Sequence, residues 1–321
     1  EWCTCHSQKA SRGNAKSPPH FFPHFFLTPF LHHAILPFWQ PVLPIPILKA
    51  TMTIITLLTD FGDKDGFTGM MKGVILSIAP DVHIVDLTHQ VEPQAIRQGA
   101  FLLAQAVPFF PAGTIHLAVV DPGVGTDRRP MALRLGDQTF VGPDNGLFSL
   151  VIQNASAQGL PLQAVVLDRP EFWLPEVSHS FHGRDLFAPV AAHLAQGWRL
   201  SDIGSPLLEP VRLSFPLPQP AGDGWRGEII TIDHFGNLIT NLSPNHIPAG
   251  EEVCVTVGES IIRGISRTFG EHDPGELIAM LDSSGYLSIA VVNGNAASRL
   301  NAHIGDAVLL TSGFSQHTPE G

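Results

Sequence analysis

The chain has 321 residues, a length that predicts two domains, each large enough to bury its own hydrophobic core. Its 29 acidic and 18 basic residues give a formal net charge of −11, which disfavours nucleic acid as a partner and suits a neutral or cationic small molecule. Its three cysteines, Cys3, Cys5 and Cys254, form neither a disulfide framework nor a zinc motif. We therefore expect a protein of the reducing cytoplasm without a metal site.

Residues 1–51 differ in composition from everything that follows. Prolines interrupt their apolar stretch too often for a membrane-spanning helix, and the stretch lacks the unbroken core and cleavage site of a signal peptide. Met52 directly precedes a clear first strand, "TIITLLTD". We interpret residues 1–51 as an upstream extension or a disordered leader, and expect no membrane association.

Residues 52–204 alternate short apolar runs with amphipathic segments. Strands are predicted at "TIITLLTD", "HIVDLTH" and "TIHLAVVD", and helices at "GFTGMMKGVILSIAP" and "PQAIRQGAFLLAQAVPFF". This alternation predicts an α/β catalytic domain with a mostly parallel sheet.

A proline-rich linker is predicted at 205–224, followed by a second domain at 225–314. Short strand-like segments separated by glycine and asparagine turns, such as "GEIITID", "NLITNL" and "YLSIAVV", predict an antiparallel β-barrel or sandwich there.

Polar residues that end parallel strands are the first candidates for a site, because ligands collect beyond the carboxyl ends of such strands. Asp60, Asp86, His89 and Asp121 hold such positions. The carboxylate of Asp60 suits the two hydroxyls of a ribose, although an aspartate at a strand-to-helix turn is often only a helix cap.

The stretch "VDPGVGTDRR" allows two interpretations. Its glycines resemble a phosphate-binding loop, but the strand "PMALRL" follows where a helix would be required. The alternative is a glycine turn that folds Arg128 or Arg129 back onto Asp121. Such a pair can be catalytic or purely structural.

Two further stretches place polar groups in turns. In "SHSFHGRD", His182 precedes a predicted helix, where a histidine either caps the helix or orients another group. In "DHFGN", Asp233 to Asn237, an aromatic ring stands between two hydrogen-bonding side chains, although Gly236 and Asn237 also favour a simple tight turn.

The ordered motifs "TDFG", "DLTH", "DPGVGT", "PDNG", "SFHGRD" and "DHFGN" resemble the S-adenosylmethionine hydroxide adenosyltransferases, which are related to the fluorinase and the chlorinase. The resemblance covers about Thr53 to Leu310. It implies an α/β domain followed by a β-barrel, and a homotrimer whose ligand lies between the first domain of one subunit and the second domain of the next. It also implies hydrolysis of S-adenosyl-L-methionine to adenosine and L-methionine, with no cofactor.

By the same resemblance, the catalytic residues fall on Asp121, Arg128 and His182. The implied substrate-binding residues are Asp60, Asp65, Asp233, Phe235, Asn237, Ser283, Asn295 and Ala296. The halogenating relatives carry tyrosine at the positions of Asp121 and His182 and threonine at that of Val124. Water is therefore the expected nucleophile, and a halogenase or a non-catalytic S-adenosylmethionine-binding protein is the alternative.

Overall fold

The computed structural model describes residues 52–248 and 253–312. The expectation for residues 1–51 lies outside the described residues, as do the last two residues of the segment 225–314.

Among residues 52–248, seven strands form one mixed sheet with the order β2-β1-β3-β5-β4-β6-β7. Their bounds are β1 (Ile54–Thr59), β2 (His83–Thr88), β3 (Ile115–Val119), β4 (Pro130–Leu135), β5 (Gln138–Pro143), β6 (Leu162–Val166) and β7 (Ser205–Pro206). Strands β1, β2, β3 and β5 are parallel, and β6 shares their direction because β4 is antiparallel to both β5 and β6. The expected sheet with mostly parallel strands is confirmed.

Helices cover both faces of this sheet, as the apolar strands require. They are α1 (Phe67–Ile78), α2 (Ile96–Ala106), α3 (Ser149–Ala157), α4 (Ala188–Ala195) and α5 (Leu200–Ile203). Buried residues of α1 and α4, such as Ile75 and Val190, pack on one face with Leu57 and Leu117. Residues of α2 and α3 pack on the other. The central strands β1 and β3 are thus buried on both sides, and their carboxyl ends are left to carry polar residues.

The proline-rich segment after β7 runs along the first domain with little regular structure. Side chains of that domain hold its backbone: Val211 N–H donates to Asp144 Oδ1 at 2.7 Å, and Leu213 N–H donates to Ser149 Oγ at 2.8 Å. We call residues 207–218 the connector. These hydrogen bonds fix its path without a helix or a strand.

The second domain is an antiparallel, nearly closed barrel. Its described elements are β8 (Gln219–Ala221), β9 (Gly224–Ile232), β10 (Leu238–Thr240), β11 (Val253–Val257), β12 (Ser260–Arg263), β13 (Leu277–Leu281), β14 (Leu287–Val291), α6 (Ala296–Leu300) and β15 (Ala307–Ser312). Strands β9 and β11 alternate buried and partly exposed residues, the pattern of strands with one face on a core. Ile229, Val255, Ile289 and Leu310 are among the residues that fill this core.

Within the described ranges, no helix is long and apolar enough to cross a membrane.

Candidate active site

Asp121, Arg128 and His182 form one hydrogen-bonded group at the carboxyl end of β3. Arg128 Nε donates to both carboxylate oxygens of Asp121 at 2.9 Å, and its Nη2 lies 2.5 Å from Asp121 Oδ2. The same Nη2 lies 2.9 Å from His182 Nδ1. The structure therefore selects Arg128, rather than Arg129, as the partner of Asp121. We call these three residues the triad.

The glycines of "VDPGVGTDRR" shape the loop that brings Arg128 back to Asp121. Gly125 has φ +78°, and a β-carbon there would collide with the backbone carbonyl of His179. Within the turn, Thr126 N–H donates to Gly123 O at 3.1 Å and Val124 N–H donates to Asp121 O at 3.2 Å. A phosphate cradle opening a helix is absent from this described loop, since β4 follows it.

The guanidinium of Arg128 is nearly buried. Its side chain is 9% exposed and that of Asp121 is 4% exposed, so the ion pair is shielded from water. The Cζ atom of Arg128 lies 5.1 Å from the centre of the Phe187 ring, a cation–π distance. Ring packing and the fork of hydrogen bonds together leave Arg128 one orientation.

The protonation state of His182 follows from its neighbour. A guanidinium only donates hydrogen bonds, so Nδ1 of His182 must accept and carries no proton. Burial and the charge of Arg128 lower the pKa of His182 below its usual value, and His179 also lowers it, while Asp121 and Asp185 oppose this shift. His182 is therefore a neutral imidazole whose proton lies on Nε2.

A π-helix at Gly183–Phe187 begins directly after His182 and continues into α4. Asp185, which is fully buried, accepts hydrogen bonds from Ser178 N–H at 2.8 Å and from Arg184 Nε at 2.5 Å. Burial alone would raise the pKa of the Asp185 carboxyl, but the bonds from Arg184 and Ser178 outweigh it and lower that pKa. Asp185 thus fixes the turn that presents His182.

Asp60 lies where β1 ends, as the sequence predicts. Its Oδ2 accepts a hydrogen bond from the backbone N–H of Gln94 at 2.8 Å. Gln94 has φ 67°, a left-handed conformation that few residues other than glycine adopt. The predicted residue Asp65 is exposed in the loop before α1. Gln94 is a neighbour of Asp60 that no sequence signal indicated.

The other two polar residues at strand ends form a separate network beside Asp60. Asp86 Oδ2 lies 2.6 Å from Lys72 Nζ, and its Oδ1 lies 3.1 Å from His89 Nε2. His89 Nδ1 lies 2.9 Å from Thr59 Oγ1, on the residue that precedes Asp60. This network supports the end of β1.

A cleft of about 1470 Å³ separates α2 from the barrel within one chain. The predicted substrate-binding residues on its barrel side are Asp233, Phe235, Asn237, Ser283 and Asn295. Ala296, by contrast, is fully buried in the barrel core, so only its backbone is available to a ligand.

The turn between β9 and β10 presents Phe235 to solvent. Asp233 accepts hydrogen bonds from the backbone N–H groups of Phe235 and Asn237 at 2.9 and 2.8 Å, and from Asn237 Nδ2 at 2.7 Å. Gly236 has φ +84°, and a β-carbon there would collide with the side chain of Asn295. The stretch is thus a tight turn that also holds a 71% exposed aromatic ring over the cleft.

The structure brings the triad together but does not bring it to the barrel-side residues. No triad residue lines this cleft, whose first-domain wall comes from residues such as Gln98 and Phe101. Arg129 has its own partner, the buried carboxylate of Asp144, which the sequence analysis did not identify although "PDNG" contains it. Among the described residues, no group of three or more His, Cys, Asp and Glu side chains is arranged to hold a metal ion.

Comparison with known proteins finds matches along both domains. Family models described as the SAM hydroxide adenosyltransferase N-terminal domain and C-terminal domain match residues 55–204 and 227–309. A (R)-S-adenosyl-L-methionine hydrolase of Salinispora tropica is 44% identical over 262 residues, covering 81% of this chain and 98% of the relative. A fluorinase of Actinopolyspora mzabensis is 28% identical over 297 residues, covering 80% and 97%. The crystal structure of an uncharacterized conserved protein from Thermotoga maritima matches with a TM-score of 0.75 and 36% identity, covering 80% of this chain and 99% of that one.

Proposed function

The chain belongs to the SAM hydroxide adenosyltransferase family, and from this premise we infer that it hydrolyses S-adenosyl-L-methionine to adenosine and L-methionine. The observation that carries the mechanism is the contact of Arg128 with both Asp121 and His182. It unites three residues from two distant segments into one polar group at the carboxyl end of β3.

The main requirement of this hydrolysis is a correctly positioned nucleophile. Water oxygen attacks the ribose C5′ in line with the sulfonium, the C5′–S bond breaks, and the sulfur leaves as neutral methionine. Because the leaving group already bears the positive charge, no general acid is needed. We propose that no cofactor takes part, and that catalysis consists of positioning water and excluding bulk solvent.

Asp121 is the group that takes the proton. Forming free hydroxide from bulk water at pH 7 would cost about 12 kcal/mol, so water attacks and loses its proton as the new bond forms. Asp121 and His182 are the two members of the triad whose side chains can accept a proton. Since His182 Nδ1 accepts from Arg128, its Nε2 carries a proton and donates to the water oxygen, while the Asp121 carboxylate receives the proton.

The same geometry argues against a halide. A chloride or fluoride at the place of the water would lie beside the Asp121 carboxylate, whose charge would repel it. Arg128 offers that anion little compensation because Asp121 already engages its Nε and Nη2.

The substrate needs both domains, and we propose that they come from different subunits. Asp60 and Asp65 would bind the adenosine part beside the triad. Asp233, Phe235 and Asn237 would hold the methionine end, with Ser283, Asn295 and the backbone of Ala296 on the adenine side. Because no triad residue lines the cleft that holds the barrel-side group, a homotrimer with sites between subunits completes the site.

We also propose the domain limits 52–204 and 225–314 with the linker 205–224 between them, whose first and last strands, β7 and β8, pair with the two domains, and action in the cytoplasm. The free thiol of Cys254 in β11 suits a reducing compartment.

Product analysis tests the function. The protein is incubated with S-adenosyl-L-methionine with and without chloride, and the products are separated by chromatography. Adenosine in both samples is expected, whereas 5′-chloroadenosine would indicate a halogenase and absence of product a binding protein. The variant Asp121→Asn should still bind the substrate but lose most adenosine formation, and unchanged turnover would refute the role of Asp121.

A further inference from the structure

We propose that Arg129, Asp144 and Asn145 form a positioning clamp that keeps the triad assembled, an inference that rests on the proposed hydrolysis. None of the three side chains makes a hydrogen bond or ion pair with a triad side chain. Asp144 binds Arg129, which follows Arg128 in the sequence, and Asn145 binds the backbone of Val120, which precedes Asp121.

The first half of the clamp is the pair of Arg129 and Asp144. Arg129 Nε donates to Asp144 Oδ2 at 2.8 Å, and Arg129 Nη2 lies 2.5 Å from the same oxygen. In the backbone, Asp144 N–H donates to Arg129 O at 2.9 Å. The side chain of Asp144 is 0% exposed, so these donors replace the hydrogen bonds that water would otherwise supply to it. The residue next to Arg128 is thus held by its backbone and by its side chain.

The second half acts on the other arm of the loop. Asn145 Nδ2 donates to Val120 O at 2.8 Å, directly before Asp121. Asn145 Oδ1 in turn accepts from Leu147 N–H at 3.2 Å, which orients the amide. Two consecutive residues after β5 therefore fix both ends of the loop that carries Asp121 and Arg128.

The ion pair of Arg129 with Asp144 also prevents Arg129 from competing with Arg128 for Asp121. The sequence alone allows Asp121 to bind either of two adjacent arginines, and only Arg128 also reaches His182. With Arg129 engaged by a buried carboxylate, Asp121 is left to Arg128. Without that partner, Arg129 becomes a second candidate for Asp121, and the bond to His182 is lost in part of the molecules.

The clamp further connects the triad with the connector. Asp144 Oδ1 accepts from Val211 N–H at 2.7 Å, and Arg129 Nη2 donates to Glu209 O at 3.1 Å. A single buried carboxylate thus binds both the loop of the triad and the segment that leads to the barrel.

The test compares Arg129→Gln, Asp144→Asn and Arg129→Lys with the unaltered protein. In Arg129→Gln and Asp144→Asn, kcat for adenosine formation should fall up to about 100-fold, the cost of a small displacement of catalytic groups. KM should stay within about twofold, because the clamp does not touch the substrate. Arg129→Lys should fold and lose less, since an ammonium keeps the charge but cannot replace the planar fork.

The pH profile separates positioning from mere destabilisation. His182 is faced by Arg128, Asp121, Asp185 and His179, and Arg128 is one cause of its low pKa. When the clamp is broken and Arg128 moves away, the acid limb of kcat should shift to higher pH. A variant that only unfolds more easily would lower the amplitude without moving the limb.

The matched control is Arg199→Gln, which breaks the exposed pair of Arg199 and Asp202 in the same domain and should leave kcat unchanged. Adenosine formation by the unaltered protein and this control establishes the proposed function independently. If Arg129→Gln fails to fold, Arg129→Lys decides. Folded clamp variants with wild-type kcat and an unshifted acid limb would overturn the clamp but leave the hydrolase intact.

Discussion

The contact with Arg128 determines the protonation state and the hydrogen bonds of His182. Its guanidinium occupies Nδ1 of the imidazole, so the ring is a hydrogen-bond donor at Nε2 and has no free position to accept a proton. Protonation at Nδ1 would break this bond and place two cations side by side. The neutral imidazole is therefore the form of His182 that keeps the triad assembled.

A pair of variants tests this role of His182. In His182→Gln, the side-chain oxygen can accept from Arg128 while the amide N–H donates to water, so part of kcat should remain. His182→Ala removes the donor and should cost about 100-fold or more. Wild-type kcat should fall as the pH drops through the lowered pKa of His182, below the usual value of 6.5, and His182→Gln should lack that limb. Equal inactivity of both variants would instead indicate that the imidazole is the base.

At the scale of elements, the apolar runs predicted most of the strands and helices because burial sets their pattern: central strands such as β1 and β3 are buried on both faces, and barrel strands such as β11 on one. The direction of β4 was also readable: only Gly136 and Asp137 separate it from β5, and a parallel connection needs a dozen residues or more. The path of the connector could not be predicted from the sequence. It depends on hydrogen bonds to Asp144 and Ser149, which are more than 60 residues away along the chain.

Some features of the candidate site could likewise be predicted from the sequence, and others could not. Residue types and a family resemblance singled out Asp121, Arg128 and His182, and the structure brings these three side chains into one hydrogen-bonded group. Their catalytic role stays a prediction. The π-helix after His182 and the left-handed Gln94 beside Asp60 were not predicted, since tertiary packing rather than local propensity sets both conformations.

Strand β3 carries a buried histidine that makes stability depend on pH. His116 is fully buried, with Nδ1 2.8 Å from Thr56 Oγ1 and its ring stacked on Phe140. Burial lowers the pKa of His116 from 6.5 to about 4. Between these values the unfolded chain binds the proton and the folded chain does not, so stability is fully present above 6.5 and falls as the pH drops.

Urea unfolding at pH 7 and pH 4.5 measures this effect. The free energy of unfolding should fall by about 2 kcal/mol from His116 alone. His116→Phe, which preserves the stacking on Phe140, should lose that part of the pH dependence. His303→Gln is the control because the side chain of His303 is 72% exposed. An unchanged pH dependence in His116→Phe would exclude His116 as its source.

At the scale of the whole molecule, the separation of the triad from the barrel-side residues is the property with the largest consequence. If the substrate needs both groups, one subunit supplies the first and its neighbour the second. Two chains with different lesions can then form intact sites together, which neither chain forms alone.

Complementation tests this arrangement. One chain carries Asp121→Asn and the other carries Phe235→Lys, which places a cation against a cationic substrate at a 71% exposed position where the fold tolerates it. In trimers assembled at random from equal amounts, about one quarter of the sites combine two unaltered halves, so about a quarter of wild-type adenosine formation should return. The same chains mixed after separate assembly serve as the control. If both halves of each site belonged to one chain, every mixed site would keep a lesion, and activity would stay at the level of the parent variants.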